Sequence, residues 1–282
     1  MGWTGYQIRL RLLSPLHIGW RKSGNLQQTR PYVTGRTLWG ALTSTLTRQA
    51  QSSDYKGYGD RVDSELAFTY FYPITLKNDE QDLRDDSVCL WPWGNDWDEF
   101  AWTYLGSYVS TALADGHGAE EGSLHETEFI SPFTRDGKPV YLVGYLFVQE
   151  NSDLLWENAL KKLQLGGERG YGWGTINTVN PVQSRPIKKD DACFGKFKFA
   201  DDDQDRPLFQ ALADNTSLLA HTLVNGENLS GEIEPLVGRT TTPAGEFGQS
   251  HSNAKICWKP GTTITEAGKY KIQPKGLWQI LR

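Results

Sequence analysis

The apolar residues of the first 180 positions switch their period from two to 3.6 and back again. No other feature of the sequence restricts the fold as much. From Tyr6 to Leu13, Ile8, Leu10 and Leu12 alternate with Gln7, Arg9 and Arg11, the pattern of a half-buried strand. Ser14-Pro15 ends that strand, and residues 19–31, rich in Gly, Gln and basic residues, read as a loop. Leu38, Trp39, Leu42 and Leu46 then share one face of a helix running to about Gln49. Leu66–Ile74 is aromatic enough for a strand, Asp79–Asp86 reads as a solvated acidic loop, and Trp97–Leu113 reads as a helix. Glu126–Phe133 and Pro139–Val148 flank Arg135-Asp136-Gly137-Lys138, a hairpin signal. Asp153 is placed to cap a second amphipathic helix through Leu154, Leu155, Ala159, Leu160 and Leu163, with Gly166 as its terminator. Thr175–Val179 closes the series as a short strand.

With residues 51–124 set aside as an insertion, the order is strand, helix, strand, strand, helix, strand. That is the α+β, ferredoxin-like (RRM-like) βαββαβ arrangement, expected over residues 1–180. Residues 181–206 read as a connection. Residues 207–282 read as a β-rich C-terminal region, and the sequence leaves open whether it forms a second small domain.

Composition bears on the partner. The chain has 282 residues and a net charge of −5, yet residues 1–53 hold seven basic residues and no carboxylate. The remainder has 22 basic against 34 acidic residues, or −12. A +7 block on an acidic chain points to a polyanion. Eleven Trp, several in polar contexts such as Trp20, Trp91, Trp93 and Trp173, offer flat surfaces for stacking. They also suit a β-rich carbohydrate-binding module, a reading that the basic block disfavours. Three scattered cysteines provide no disulfide framework and no CxxC metal site. No apolar run reaches the ~18–20 residues of a membrane span, and no secretory signal is visible, so the cytoplasm is the expected compartment.

Two segments carry possible chemistry. In Gly166-Gly167-Glu168-Arg169-Gly170-Tyr171-Gly172-Trp173-Gly174, five of nine residues are Gly. A helix precedes this segment and a strand follows it, the reverse of the order that nucleotide-binding glycine loops require, so no NTP cofactor is expected. Arg169, Tyr171 and Trp173 alternate with glycines, as suits a ligand with both phosphates and bases. The second segment runs Ser14-Pro15-Leu16-His17-Ile18-Gly19, then Arg21, Lys22 and Arg30, then Pro31-Tyr32-Val33-Thr34-Gly35-Arg36-Thr37-Leu38-Trp39-Gly40-Ala41-Leu42. It places Arg36 at a helix N-terminus, where anions are favoured.

Together these segments resemble the RAMP superfamily of CRISPR effector proteins. SPLHIG ends a strand, PYVTG leads into a helix containing TLWGAL, and a Gly-rich loop follows the second helix. Glu234-Pro235-Leu236-Val237-Gly238-Arg239 and Ile256-Cys257-Trp258-Lys259-Pro260-Gly261 look like subunits of type III, subtype III-D-like, complexes. The resemblance implies guide-RNA (crRNA) binding by His17, Arg21, Lys22, Arg30, Arg36, Gly166, Gly167, Arg169, Gly170, Tyr171, Gly172, Trp173 and Gly174. It also implies other RAMP subunits and the large polymerase-like subunit as partners, with target nucleic acid met indirectly. Residues 20–29 carry no Asp or Glu, whereas target-cutting backbone subunits place an acidic residue in that loop. This favours a non-catalytic subunit capping the 5′ handle. The alternatives are a backbone subunit, or a metal-independent endoribonuclease with His17 as its general base. No cofactor, metal or membrane is expected.

Overall fold

The computed structural model describes residues 2–76, 89–113, 118–178, 186–200, 205–225, 229–242 and 244–281. The acidic runs at 79–86 and 201–203, together with His117, lie outside the described residues. The chain is mixed α/β, strand-rich with few helices.

The alternating segment forms β1 (Trp3–Leu12). Next come a hairpin of β2 (Gly19–Ser23) and β3 (Leu26–Thr29), then α1 (Gly35–Gln49), α2 (Tyr55–Glu65), β4 (Leu66–Phe68) and β5 (Tyr72–Thr75). They are followed by α3 (Trp97–Tyr104), β6 (Leu105–Ser110), β7 (His125–Ile130), β8 (Val140–Gln149), α4 (Trp156–Leu160) and β9 (Ile176–Thr178). The main sheet has the order β4–β8–β1–β9, with β5 also pairing β8, and every pairing in it is antiparallel.

Several expectations change here. The strand that follows α1 in this sheet is 66–75, not 126–133, so residues 66–75 belong to the core and not to an insertion. β7 pairs instead with β3 and β6 in a separate four-stranded sheet. The turn at Asp136-Gly137 therefore joins strands of two different sheets. Residues 19–31 are a hairpin and not a loop, turning at Gly24 with φ +58°. The helix read at 97–113 stops at Tyr104, and Leu105–Ser110, with Tyr108 and Val109 exposed, forms β6. α4 spans only Trp156–Leu160, with Leu155 and not Asp153 at the capping position and no side-chain cap; the Asp153 carboxylate pairs instead with Arg61. Residues 55–65, polar by composition, form α2, whose N-cap Asp54 accepts the Gly57 amide at 2.7 Å.

β8 explains how the layers stack. Nine of its ten residues are buried, because both faces of the main sheet are covered. On one face Ile8, Leu10, Leu142 and Leu146 pack with Leu38, Leu42 and Leu46 of α1 and Leu160 of α4. On the other, Tyr145 and Phe147 pack with Phe197, Phe199, Phe209 and Trp278 of the C-terminal residues. The C-terminal sheet has eight strands. In spatial order they are Ala192–Cys193, Phe197–Ala200, Leu208–Ala211, Lys269–Ile272, Trp278–Leu281, Thr222–Leu223, Lys255–Trp258 and Ile233–Leu236. Its first two strands fall inside the segment read as a connection. Among the described residues no helix is long and apolar enough to cross a membrane.

Candidate nucleic-acid interface

The segment joining β1 to the hairpin is stitched to β7. Leu16 exchanges both backbone hydrogen bonds with Ile130, and the His17 ring Nδ1 lies 2.7 Å from the Glu128 carbonyl. The Gly-rich loop then wraps this segment from outside. The Gly167 amide donates to the His17 carbonyl at 2.8 Å and the Gly174 amide to the Pro15 carbonyl at 2.7 Å. A β-carbon at Gly166 would stand 2.3 Å from the His17 carbonyl, and one at Gly174 would stand 1.8 Å from the Leu165 carbonyl. Both have φ +74°, so only glycine fits. Gly166, Gly167 and Gly174 thus devote their backbone to contacts within the chain.

α1 starts beside this wrap. The Thr34 hydroxyl accepts from the Thr37 amide, and the first turn contains Arg36 and no acidic residue. Gly35 packs so closely on Lys275 that a β-carbon would meet the Lys275 carbonyl at 2.5 Å. This brings the Lys275 ammonium over the Trp39 ring, 4.5 Å from its centroid, and 2.6 Å from Asp63. The Arg36 guanidinium crosses Gly238 to reach the Arg239 carbonyl at 3.1 Å and Ser252 Oγ at 3.3 Å.

These contacts frame a groove of about 620 Å³, with the first turn of α1 on one wall and residues 236–239 and 247–249 on another. Gly166, Gly167 and Arg169 complete it. Arg30, Arg36, Arg169, Arg239, Lys255 and Lys275 line it, and no Asp or Glu does so among the described residues. Arg30 and Lys275 are neutralised from behind by Glu234 and Asp63. The other four have no carboxylate within ion-pair distance among the described residues. Cations and helix N–H groups facing one cleft bind polyanions, phosphodiesters included.

A buried relay backs the groove. The Tyr70 hydroxyl donates to His221 Nδ1 at 2.8 Å, and His221 Nε2–H donates to Glu234 Oε1 at 2.5 Å. Glu234 also accepts from Arg30 at 2.6 Å and from the Trp20 indole at 2.9 Å. Burial pushes the Glu234 carboxyl up, but the His221 and Arg30 interactions and the Trp20 hydrogen bond outweigh it and bring the group down to about 2. Burial pushes His221 below its ordinary value, which favours the neutral ring, and the Glu234 carboxylate beside Nε2 selects the tautomer that carries its proton there.

Of the residues expected to touch RNA, Arg30, Arg36, Gly166, Gly167 and Arg169 line the groove. His17 lies behind it, 7% exposed. Arg21 and Lys22 are exposed on β2, and the Arg21 guanidinium lies over the Trp20 ring, 4.1 Å from its centroid. Gly170, Tyr171 and Gly172 form the exposed tip of the Gly-rich loop, with Tyr171 83% exposed. Trp173 packs edge-on against Phe129, with ring centroids 5.2 Å apart. The N-terminal basic block does not converge on one face, since Arg9 and Arg11 lie half-buried on the face of β1 opposite Leu10 and Leu12, and Arg48 folds back on the Ser44 carbonyl. Sequence reasoning missed Lys255 and Lys275 and left Arg239 without a role. Only the motif ending in Arg239 could have drawn attention to that stretch. Among the described residues no cluster of three His, Cys, Asp or Glu side chains could hold a metal ion.

Among solved structures, a chain of a Type III-B Cmr-beta complex bound to cognate target RNA and AMPPnP is similar at 12% identity. The match covers 92% of this chain and 85% of that one, with a TM-score of 0.49. A chain of Type III-B Cmr-beta bound to cognate target RNA matches at 11% identity over 62% of this chain and 96% of that one, with a TM-score of 0.40. No curated protein matches. The sequence profile of the RAMP superfamily matches residues 9–177, more than half of the chain, and the protein therefore belongs to the RAMP superfamily.

Proposed function

We propose that this protein is a non-catalytic guide-RNA (crRNA) binding subunit of a type III CRISPR interference complex, placed at the 5′ handle of the guide. The observation that carries the reading is the groove with six cations and no carboxylate among its described lining residues. Family membership and the type III-like motifs at 234–239 and 256–261 support it. The main-sheet order β4/β5–β8–β1–β9, with α1 and α4 on one face, is read as the ferredoxin-like arrangement, its second strand supplied by 66–75. The large polymerase-like subunit and other RAMP subunits are the proposed neighbours, and the cytoplasm the proposed compartment.

The ribonuclease alternative gains nothing from His17, whose ring is largely buried and bonded to the Glu128 carbonyl. Two measurements test the proposal. Native purification should bring down a set of subunits with a short RNA of constant 5′ end. The isolated chain should bind single-stranded RNA with an affinity that falls steeply with salt and should leave that RNA uncut. A chain that purifies alone and ignores RNA, or one that cuts it with chelator present, overturns the reading.

A further inference from the structure

Arg30 lines the groove, yet the Glu234 carboxylate lies against its guanidinium at 2.6 Å and repels any anion that approaches from the groove side. A cleft built on charge alone would bind a polyanion better without Glu234. The surroundings of that carboxylate show what it supplies instead.

Three donors from three segments converge on it. Arg30 Nη1, just past the end of β3, and His221 Nε2, just before the C-terminal strand Thr222–Leu223, both donate to Oε1, at 2.6 and 2.5 Å. The Trp20 indole, on β2, donates to Oε2 at 2.9 Å. Both strands of the hairpin root are thus tied to one carboxylate on Ile233–Leu236, the edge strand of the C-terminal sheet. The Trp20 ring spaces the cations around it: Arg21, Lys259 and Arg30 lie 4.1, 5.4 and 5.8 Å from its centroid.

The Arg30 side chain is only 10% exposed, so it cannot swing out to meet a ligand, and its direction has to be right beforehand. Glu234 and Tyr32 engage Nη1 alone, and no hydrogen bond among the described residues uses Nε or Nη2. A guanidinium is a rigid planar fork, so fixing one nitrogen fixes the other two.

We infer that Glu234 is a positioning residue for the bound polyanion: it holds Arg30 by Nη1, presents the remaining N–H groups to a phosphate in the groove, and fixes the β2–β3 hairpin beside it. The inference rests on the RNA-binding reading above. It adds an acidic residue that promotes binding of an anion against the sign of its own charge.

The test uses the full chain, a fluorescein-labelled single-stranded RNA of about fifteen nucleotides, and anisotropy from about 50 to 300 mM salt. Near-ultraviolet circular dichroism establishes that each variant is folded at the temperature of the titration. Glu234→Asp keeps the charge and withdraws the carboxylate by one methylene. It should weaken binding roughly tenfold, the scale of one charge-assisted hydrogen bond, and make the salt slope shallower by about 0.7. A carboxylate that serves only as charge or as a fold contact predicts unchanged affinity.

Glu234→Gln separates the two by sign, since it tightens binding in a cleft that works by charge alone and weakens it where Glu234 orients Arg30. Arg30→Met combined with Glu234→Gln keeps the net charge of the groove and strands no buried ion, so it reads the same contact where Glu234→Gln does not fold. The double variant should bind roughly tenfold more weakly than the unaltered chain. It should nevertheless bind better than Arg30→Met alone, because with the guanidinium gone Glu234 has only its repulsion left. Unchanged affinity in folded Glu234→Asp, tighter binding by Glu234→Gln, or a double variant equal to the unaltered chain each overturns the positioning role and leaves the groove reading intact. An unaltered, folded chain that binds no RNA overturns both.

Discussion

Arg30 and Glu234 stand 204 positions apart in the chain and meet as an ion pair at 2.6 Å, with side-chain exposures of 10% and 13%. The pair joins the root of the β2–β3 hairpin to the C-terminal sheet. Glu234 is the hub, since His221 and Trp20 also donate to it. Removing its charge strands Arg30 in a largely dry site. Glu234→Gln should therefore lower unfolding free energy by about 3–5 kcal/mol, read by urea denaturation. A loss below about 1 kcal/mol, the range of an exposed pair, would show that water reaches Arg30 freely.

The same relay sets a pH dependence. His221 is lowered below 6.5 by burial, with Arg30 and Lys259 adding to the effect and Glu234 opposing it. The unfolded chain takes up the proton first, so the stability His221 contributes is present above pH 6.5 and is lost as pH falls through its folded value. Glu234 has the same sign lower down: its contribution holds above 4.5 and is lost toward about 2. Asp63 and Glu128, both raised by burial, act in the opposite sense. Unfolding free energy should accordingly fall from pH 7 to pH 5, and His221→Gln should flatten that limb. Parallel curves for the two proteins would refute the assignment to His221.

What could be read from the sequence follows from how local each cause is. β1 and α1 were legible because each buries one face, and a half-buried element writes its period into the chain. β8 was legible as a strand, but its continuous apolar run says only that both faces are covered and not by what. The β2–β3 hairpin was hidden, because its strands are polar on both sides and turn at Gly24 in a stretch without apolar alternation. The role of 66–75 was hidden for another reason. Thr69 interrupts the strand, and its hydroxyl accepts the Tyr145 amide at 2.8 Å while Phe71 leaves to pair with Val33. The groove was half legible: Arg30, Arg36 and Arg169 carried a local context, whereas Lys255 and Lys275 arrive through sheet packing and the Gly35–Lys275 contact.

The groove cations differ in how free their charge is. Lys255 is exposed and has no carboxylate partner among the described residues, whereas Arg30 is held by Glu234. Lys255→Ala should reduce the slope of log affinity against log salt by about 0.7, the value for one phosphate contact on a single strand. The same change should leave stability within about 0.5 kcal/mol. An unaltered slope for both Lys255→Ala and Arg169→Ala would exclude the groove as the phosphate track.

The Gly-rich loop separates into a structural half and an exposed tip, and substitutions should divide the same way. Gly174→Ala forces a β-carbon onto the Leu165 carbonyl at positive φ, and should cost more than the roughly 1 kcal/mol of unfavourable φ alone. Gly172 has φ +79° but open space around it, so Gly172→Ala should cost only that conformational term. Trp173 packs against Phe129 and, at 6.4 Å between centroids, against Tyr108; Trp173→Ala should therefore lose about 3–5 kcal/mol less whatever its partial exposure returns. Tyr171 touches little, and Tyr171→Ala should leave the melting midpoint unchanged. If the tip stacks on RNA, Tyr171→Ala costs roughly five- to 150-fold in affinity. Thermal melts and RNA titrations on the four variants read the two halves independently. A Tyr171→Ala variant with intact folding and intact RNA affinity would confine the loop to wrapping residues 15–17, leaving the groove and not the loop tip as the site of binding.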